Sequence, residues 1–339
     1  NDYTKDGKIV LAHNTFENFV SGQYCNYIVS IKPENGSEII MQTQPGFIWS
    51  GTDFFVSKNE KKGTNFIGSE TTIGGFLPYE LGNPIFCRIR KGMQYAEKLE
   101  DFETFLLDGN TGGYANSWIF GDIKENKIMR IELGLKYHNT EYKTNGYFIG
   151  FNGSYDARIR NLECRAQGYL DIRRHQGARH VRLVQLIEKY KGKLDIHTAK
   201  IILSDHYDVY LKKINPCSRT VDSHYELDDR AFMSQSDRPK PFQPRGAMDG
   251  KCVDSITASK GGFYAKWGSS SNIPFYKEPF LKKNPIWTYL KDYLLDRPNQ
   301  EWTLFHIDDK NKKIKKRSKT LKKSKTTHKN KTKKNRKTI

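Results

Sequence analysis

The segment DGKIVLAHNTF, Asp6 to Phe16, is the first apolar run of the chain, and it leads into a polar pair. Ile9 to Ala12 predict a buried strand, which His13 and Asn14 follow directly. A histidine at a strand end is more often a hydrogen-bonded structural residue than a catalytic one. A polar pair that closes a buried strand still needs partners there, so His13 is the first candidate for a functional residue.

Short strands follow outward from this segment. Runs rich in Ile, Val, Phe and Tyr lie between Gly, Pro and Asn residues: YCNYIVSIK, SEIIMQTQ, GFIWSGTDFFVS and TNFIGSETTIGG. A helix is predicted from Pro84, with Asn83 as its N-cap, and helical structure is expected to continue in some form through Phe105. Strands resume at SWIFGDI, KIMRIELGL and YFIGFN, and later helices are predicted near Ala178, Asp195 and Pro285. This order of blocks predicts an α+β fold with two sheet layers and helices outside.

Most of the net charge of +19 lies in a basic tail. Residues 310–339 hold 16 of the 57 lysines and arginines and no acidic residue, so the remaining residues carry 41 basic against 38 acidic side chains. The nearly neutral body does not require a polyanionic partner, whereas the tail is solvated and self-repelling. The sequence therefore predicts one folded domain over 1–308 and a disordered Lys/Arg-rich tail over 309–339.

The cysteines lie far apart and form no CxxC pair: Cys25, Cys87, Cys164, Cys217 and Cys252. This spacing predicts neither a zinc site nor a dense disulfide framework, and no metal or cofactor is expected. The chain has no run of about 18 apolar residues, so a transmembrane span is not predicted.

Four segments place polar residues where the pattern expects apolar ones: LAHNTF, GSETTIGG, DGNTGGYANSWIFGD and NPCSRTVDSH. Each has a structural explanation by itself, because threonine is common in strands and asparagine and glycine are common in turns. None of the four alone predicts an enzyme.

Seven segments together resemble a known family. DGKIVLAHNTF, PGFIWSGTDFF, GSETTIGGF, GGYANSWIFGD, RIELGLKY, NPCSRT and GAMDGKCVDS are similar, in this order and with similar spacing, to segments of the phospholipase B-like proteins and their bacterial relatives. Those relatives are grouped with the acyl-coenzyme A:6-aminopenicillanic acid acyltransferases. The resemblance covers Asp6 to Phe305. It implies a four-layer αββα sandwich of two antiparallel sheets, the fold of the N-terminal-nucleophile hydrolases.

The resemblance also implies a chemistry. Such a precursor cleaves itself, and the newly exposed N-terminal Cys attacks the carbonyl of a small acyl amide or ester substrate. The free α-amino group of that Cys acts as the base, since an α-amine titrates at about pH 7.7 to 8.0. Side-chain amides and backbone N–H groups then stabilise the oxyanion.

Roles follow for eight residues of this chain. By the resemblance, His13 orients or polarises the nucleophile, Thr71 places a hydroxyl near its amine, and Asn116 in YANSW donates to the oxyanion. The expected substrate-binding residues are Asn14, Thr72, Trp118, Arg158 and Arg160. The alternative for Trp118 is a place in the core, and the alternative for the two arginines is an ordinary surface charge.

One departure from the family concerns the nucleophile. The family's Cys opens the strand before DGKIVLAHN, and this chain begins at Asn1 without it. Cys25 does not replace it, because an internal cysteine has no free α-amine. We expect the nucleophile just upstream of Asn1. The alternative is a catalytically inactive scaffold of the same fold.

A second class of function is a binding protein that acts through the tail. The tail has no aromatic residue for base stacking and no periodic apolar face, so it predicts only unspecific, salt-sensitive contact with polyanions. The indications of localisation conflict. A lysosomal or secreted protein is favoured by the N-glycosylation sequons at Asn35 and Asn152 and by the localisation of the family's members. The polybasic tail instead favours a nuclear or viral protein.

Overall fold

The computed structural model contains two large antiparallel sheets and several helices, which confirms the mixed architecture predicted from the order of segments. It describes residues 1–165, 168–229 and 241–307. Asn1–Ile307 form one compact unit. The tail predicted over 309–339 lies outside the described residues.

The first half of the chain supplies the larger sheet. Strand β1 (Val10–Asn18) and the short helix α1 (Phe19–Gly22) come first. Seven strands then lie side by side in chain order: β2 (Tyr27–Ile31), β3 (Glu38–Thr43), β4 (Phe54–Asn59), β5 (Thr64–Thr72), β6 (Asn116–Asp122), β7 (Lys127–Leu133) and β8 (His138–Lys143). Between β5 and β6 lie the helices α2 (Ile85–Tyr95) and α3 (Leu99–Leu107).

The second half supplies helices and most of the smaller sheet. Its elements are α4 (His175–Lys189), α5 (Ile196–Leu203), β9 (Tyr207–Asp208), β10 (Lys213–Ile214), β11 (Arg245–Asp254), α6 (Ser255–Ser259), β12 (Gly262–Trp267), α7 (Lys277–Lys283) and β13 (Thr303–His306). Single helical turns lie at Ile159–Glu163, Tyr225–Leu227 and Pro285–Leu290. The smaller sheet has the order β1-β11-β12-β13, so the first strand of the chain pairs with strands far along it.

Both faces of the larger sheet are covered, because successive side chains of a strand point to opposite faces and both sets are buried. One face packs on α2 and α3 through a cluster that includes Phe55, Phe66, Phe102 and Trp118. The other face meets the smaller sheet through a cluster that includes Ile40, Phe54, Ile67, Val253 and Phe263. The space between the two sheets therefore begins as apolar core and, farther along, opens into the cavity described below.

Helical structure extends from Ile85 through Phe105 as predicted, but it is interrupted, and Pro84 rather than Asn83 is the N-cap residue. The structure has α2 and α3 with a break between them. Asp101 explains the break, because its carboxylate accepts hydrogen bonds from the backbone N–H groups of Glu97 and Lys98 and so begins a new helix. At α5 the predicted cap is confirmed: Asp195 Oδ1 accepts from Thr198 N at 2.8 Å.

The predicted strand YFIGFN is also wrong. Residues 147–150 are irregular, and Asn152 has a φ of 63° in the left-handed region. Gly150 passes so close to Thr71 that a Cβ there would lie 2.8 Å from the threonine methyl group. The segment is buried against the end of β5 and not paired in a sheet, a difference that an apolar run does not reveal.

Among the described residues, no helix combines the length and the apolar character needed to cross a membrane.

Candidate functional site

A cavity of about 1380 Å³ opens beside β1. Its walls include residues of β1, the end of β5, α4 and the irregular segment at 146–152. The volume exceeds the roughly 300–1,000 Å³ of most small-ligand sites, so it has room for an extended apolar group. Four residues singled out in the sequence line it: His13, Asn14, Thr71 and Thr72.

His13 lies on β1 opposite Lys251 of β11 and borders the cavity. Removal from water lowers the pKa of His13 well below its usual range, and the positive charge of Lys251 acts in the same direction. The imidazole is therefore neutral at pH 7. Its Nδ1 has no hydrogen-bond partner in the part of the chain that the structure describes. A neutral imidazole with a free ring nitrogen is suited to hydrogen bonding or proton transfer with a reactant.

Lys251 is fully buried and joins the two sheets. Its Nζ donates to Thr15 Oγ1 at 2.6 Å, to the Thr52 carbonyl at 2.8 Å and to Asp249 Oδ1 at 2.9 Å. The second oxygen of Asp249 accepts from Gln42 Nε2 at 2.8 Å. This network uses all three ammonium protons and fixes a positive charge next to His13.

Asp53 and Glu70 form a hydrogen-bonded pair of carboxyl groups in the cavity wall. Burial raises the pKa of Asp53 well above its usual range, and the charge of Glu70 raises it further. Burial also raises the pKa of Glu70, although hydrogen bonds from Asp53, Tyr114 and Asn116 oppose the shift. The pair therefore keeps a proton to higher pH than carboxyl groups in water do.

Asn116 supports this pair. Its Nδ2 donates to Glu70 Oε2 at 2.5 Å, while the Tyr114 hydroxyl donates to Oε1 at 2.6 Å. Asn116 is fully buried and stands opposite Thr72 in the sheet. Its predicted use as an oxyanion donor requires the amide to leave Glu70, and that role stays a prediction.

Thr71 and Thr72 hold Asn152 at the cavity wall. Asn152 N donates to Thr71 Oγ1 at 3.0 Å, and Asn152 Nδ2 donates to the Thr72 carbonyl at 3.1 Å. Asn152 Oδ1 accepts from Arg179 Nη2 at 2.6 Å. The Thr72 hydroxyl donates to the Tyr114 hydroxyl at 3.1 Å. A chain of hydrogen bonds thus runs from the Arg179 guanidinium through Asn152 and Thr72 to Tyr114, which contacts Glu70.

Arg179 supplies a buried cation to the cavity from α4. Its Nη1 donates to the Ser218 carbonyl at 2.8 Å, and its guanidinium lies 5.2 Å from the Phe16 ring centre. Burial lowers the pKa of Arg179, but a guanidinium remains charged at neutral pH. The sequence does not indicate this role, because the pattern around Ala178 predicts only a helix.

The two arginines predicted to bind substrate lie elsewhere. Arg158 is exposed and pairs with Asp156, with Nη2 2.7 Å from Oδ2. Arg160 donates to the Ser154 carbonyl at 2.9 Å and lies over the Tyr169 ring at 4.1 Å. Both stabilise the turn around Ile159–Glu163.

Asn14 and Trp118 have structural contacts. Asn14 Nδ2 donates to the Leu203 carbonyl at 2.8 Å, and its Oδ1 accepts from Ser270 Oγ at 2.6 Å, so the side chain joins β1 to α5. Trp118 is 1% exposed and stacks on Phe120 within the core against α2 and α3. Trp118 thus has the core position that is the alternative to substrate binding.

Three of the internal cysteines are poor nucleophiles. Burial raises the pKa of Cys25 to about 11 and the pKa values of Cys217 and Cys252 to about 12. These thiols are protonated at neutral pH, whereas the thiolate is the reactive form.

No protein-family model matches the sequence, and no curated protein matches it. An assignment of activity therefore depends on the seven sequence segments and on the geometry of the cavity.

Proposed function

We propose that the chain is the body of a phospholipase B-like N-terminal-nucleophile hydrolase that cleaves an amide or ester bond of a small acyl substrate. The observation that supports this most is the position of β1. This strand carries His13 to the cavity and lies at the edge of its sheet, with β11 on one side only. A segment upstream of Asn1 that paired with the other edge would bring a nucleophile beside His13.

The packing also favours the four-layer αββα arrangement of this class. Helices α2 and α3 cover the outer face of the larger sheet, and the two sheets share an apolar cluster. On the smaller sheet, α5 contacts both β1 and β11. These contacts support a helix layer on each side of the two sheets.

In the proposed reaction, the thiol of an upstream N-terminal Cys attacks the substrate carbonyl carbon. Its α-amine accepts the thiol proton and passes it to the leaving amine or alkoxide. Water then hydrolyses the acyl thioester and restores the thiol. Neutral His13 hydrogen-bonds the thiol or the water, and Arg179 lies on the cavity wall where it attracts negative charge.

The cavity supports an acyl substrate with a polar or anionic end. Apolar side chains of Leu11, Phe16 and Ile119 line it together with the guanidinium groups of Arg179 and Arg245. The combination suits an apolar chain at one end and a carboxylate or phosphate at the other.

The test uses the complete precursor encoded with the codons upstream of Asn1. We expect mass spectrometry of the purified protein to show cleavage immediately before a Cys, followed by a short segment and Asn1. The processed protein should hydrolyse fatty-acyl amides or lysophospholipids, and replacement of that Cys by Ala should abolish both cleavage and hydrolysis. His13→Gln should lower kcat/KM by about 10²–10⁴-fold.

Two outcomes contradict the proposal. The absence of a Cys upstream of Asn1 leaves the inactive scaffold as the better explanation. Full hydrolysis by the Cys→Ala protein refutes the mechanism.

A further inference from the structure

Three side chains of types that can bind a metal ion meet at residues that do not line the cavity. His206 follows α5, and Asp222 and His224 belong to the NPCSRTVDSH segment. Asp222 Oδ2 lies 3.1 Å from His224 Nε2 and 3.4 Å from His206 Nε2. One ligand atom from each residue lies within 4.8 Å of the others. Asp222 and His224 are fully buried, and the His206 side chain is 14% exposed.

The hydrogen bonds of Asp222 are unevenly distributed. Its Oδ2 contacts both imidazoles and also accepts from the Ser269 hydroxyl at 2.7 Å and the Ser271 N–H at 3.1 Å. Its Oδ1 is buried and has no partner among the described residues. Both oxygens of a carboxylate accept hydrogen bonds, so hydrogen bonding alone does not account for crowding one oxygen and leaving the other empty. A cation held between Oδ2 and the two imidazole nitrogens accounts for the crowding at that oxygen.

Glu226 orients His224 for such a cation. Glu226 Oε1 lies 2.7 Å from His224 Nδ1. When Nδ1 donates its proton to Glu226, the lone pair of Nε2 is directed toward Asp222 and His206. A carboxylate that holds the far nitrogen of a histidine is the usual support for a metal-bound imidazole.

We propose that His206, Asp222 and His224 bind one divalent transition-metal ion, with zinc as the natural choice. Two imidazoles and one carboxylate favour zinc over magnesium and calcium, which prefer oxygen ligands. Ligand bonds of about 2.0–2.2 Å in a tetrahedral site place the ligand atoms about 3.3 Å apart. The two distances measured from the Asp222 oxygen lie close to this spacing. Water would complete the coordination, as in other zinc sites with three protein ligands.

The ion's role in this proposal is structural. It ties the segment after α5 to the NPCSRTVDSH segment and, through Ser269 and Ser271, to the turn after β12. The buried Arg297 lies within electrostatic range of Asp222 and Glu226. Its charge offsets part of the negative charge of the two carboxylates and limits the affinity of the site.

The experiment uses tag-free protein that has been stripped with a chelator and dialysed. We expect zinc chloride titrated in a calorimeter to bind at one ion per chain, with elemental analysis of the gel-filtered protein giving the same ratio. The Tm should rise with zinc concentration, because the ion binds the folded state. Cobalt(II) should give the visible absorption bands of a four-coordinate site.

Variants assign the binding. His206→Ala should abolish the stoichiometric binding of zinc. Of the three ligands, His206 is the one that is partly exposed, so its replacement should disturb the core least. Glu226→Gln should weaken zinc binding by about 10–100-fold. His138→Ala, at an exposed histidine on β8, is the matched control and should bind as the wild type does.

Two results overturn the proposal. One is a stripped, folded wild-type protein that binds no zinc and shows no rise in Tm; the cluster is then an ion-pair network with His224 protonated between two carboxylates. The other is equal zinc binding by wild type and His206→Ala.

Discussion

At the scale of single residues, the carboxyl pair in the cavity wall is the feature with the clearest consequence for pH dependence. Burial raises the pKa values of both Asp53 and Glu70. In the unfolded chain a carboxyl group ionises at about pH 4, whereas the folded pair still holds a proton above that pH. The folded state binds more protons in this window, so the free energy of unfolding must fall as the pH rises through it.

Asp53→Asn tests this. Asparagine still donates a hydrogen bond to Glu70 but does not titrate. We expect urea unfolding between pH 4 and pH 8 to show that the wild type loses stability relative to the variant as the pH rises. Each unit by which the folded pKa exceeds the unfolded one contributes about 1.4 kcal/mol to this loss. Parallel pH profiles for the two proteins would show that the pair does not share a proton.

The buried ion pair next to His13 gives a second prediction at this scale. Lys251→Met should destabilise the protein by about 3–5 kcal/mol, because it leaves the Asp249 carboxylate buried without a cation. The double variant Asp249→Asn, Lys251→Met removes both charges and should recover much of the loss. Thermal and urea unfolding measure both variants. A double variant no more stable than Lys251→Met would contradict the role given to the charge.

His13, Thr71 and Thr72 show what the sequence predicts about the site, and Arg179 shows what it does not. The first three lie in segments whose order resembles a known family, and the structure brings all of them to one cavity. Arg179 and the Asp53–Glu70 pair gain their properties from tertiary proximity and burial. The GSETTIGG pattern singles out the segment of Glu70 but not its pairing with Asp53, and nothing local marks Arg179, because a charged residue is ordinary until the fold buries it.

At the scale of elements, the sequence predicts strands and helices correctly where the periodic pattern is long. It predicts them incorrectly where turn residues determine the backbone conformation. YFIGFN has the composition of a strand, yet close packing of Gly150 on Thr71 and the left-handed Asn152 make it irregular. Likewise, only the position of Asp101 reveals that the helix predicted from Pro84 ends and a new one begins.

The N-cap of α5 gives a prediction for an element. Asp195→Ala should lower the free energy of unfolding by about 1 kcal/mol, because the Thr198 N–H loses its acceptor. Hydrogen bonds from Thr198 lower the pKa of Asp195, so the cap stabilises above about pH 4 and is lost as the pH falls through the lowered pKa. Asp195→Asn is the control and should retain most of the stability. Equal losses in both variants would contradict the capping role.

At the scale of the whole molecule, the compact unit Asn1–Ile307 has its own core, and the basic tail lies beyond it. We expect deletion of residues 310–339 to leave the Tm unchanged and to abolish retention on heparin at low salt. Substrate turnover by the processed enzyme should also be unchanged. A fall in turnover with retained heparin binding would contradict this division of roles.

Asn152 has a consequence for any route of this protein through a secretory compartment. Both of its amide atoms are used, one by Thr72 and one by Arg179, whereas Asn35 is exposed. An oligosaccharide attached at Asn152 would break these contacts at the cavity wall. Folded, secreted protein should therefore carry sugar at Asn35 and leave Asn152 unmodified. Enzymatic deglycosylation in heavy-oxygen water, followed by peptide mass spectrometry, identifies which asparagine carried sugar. Folded, active protein bearing sugar at Asn152 would show that this wall is not required.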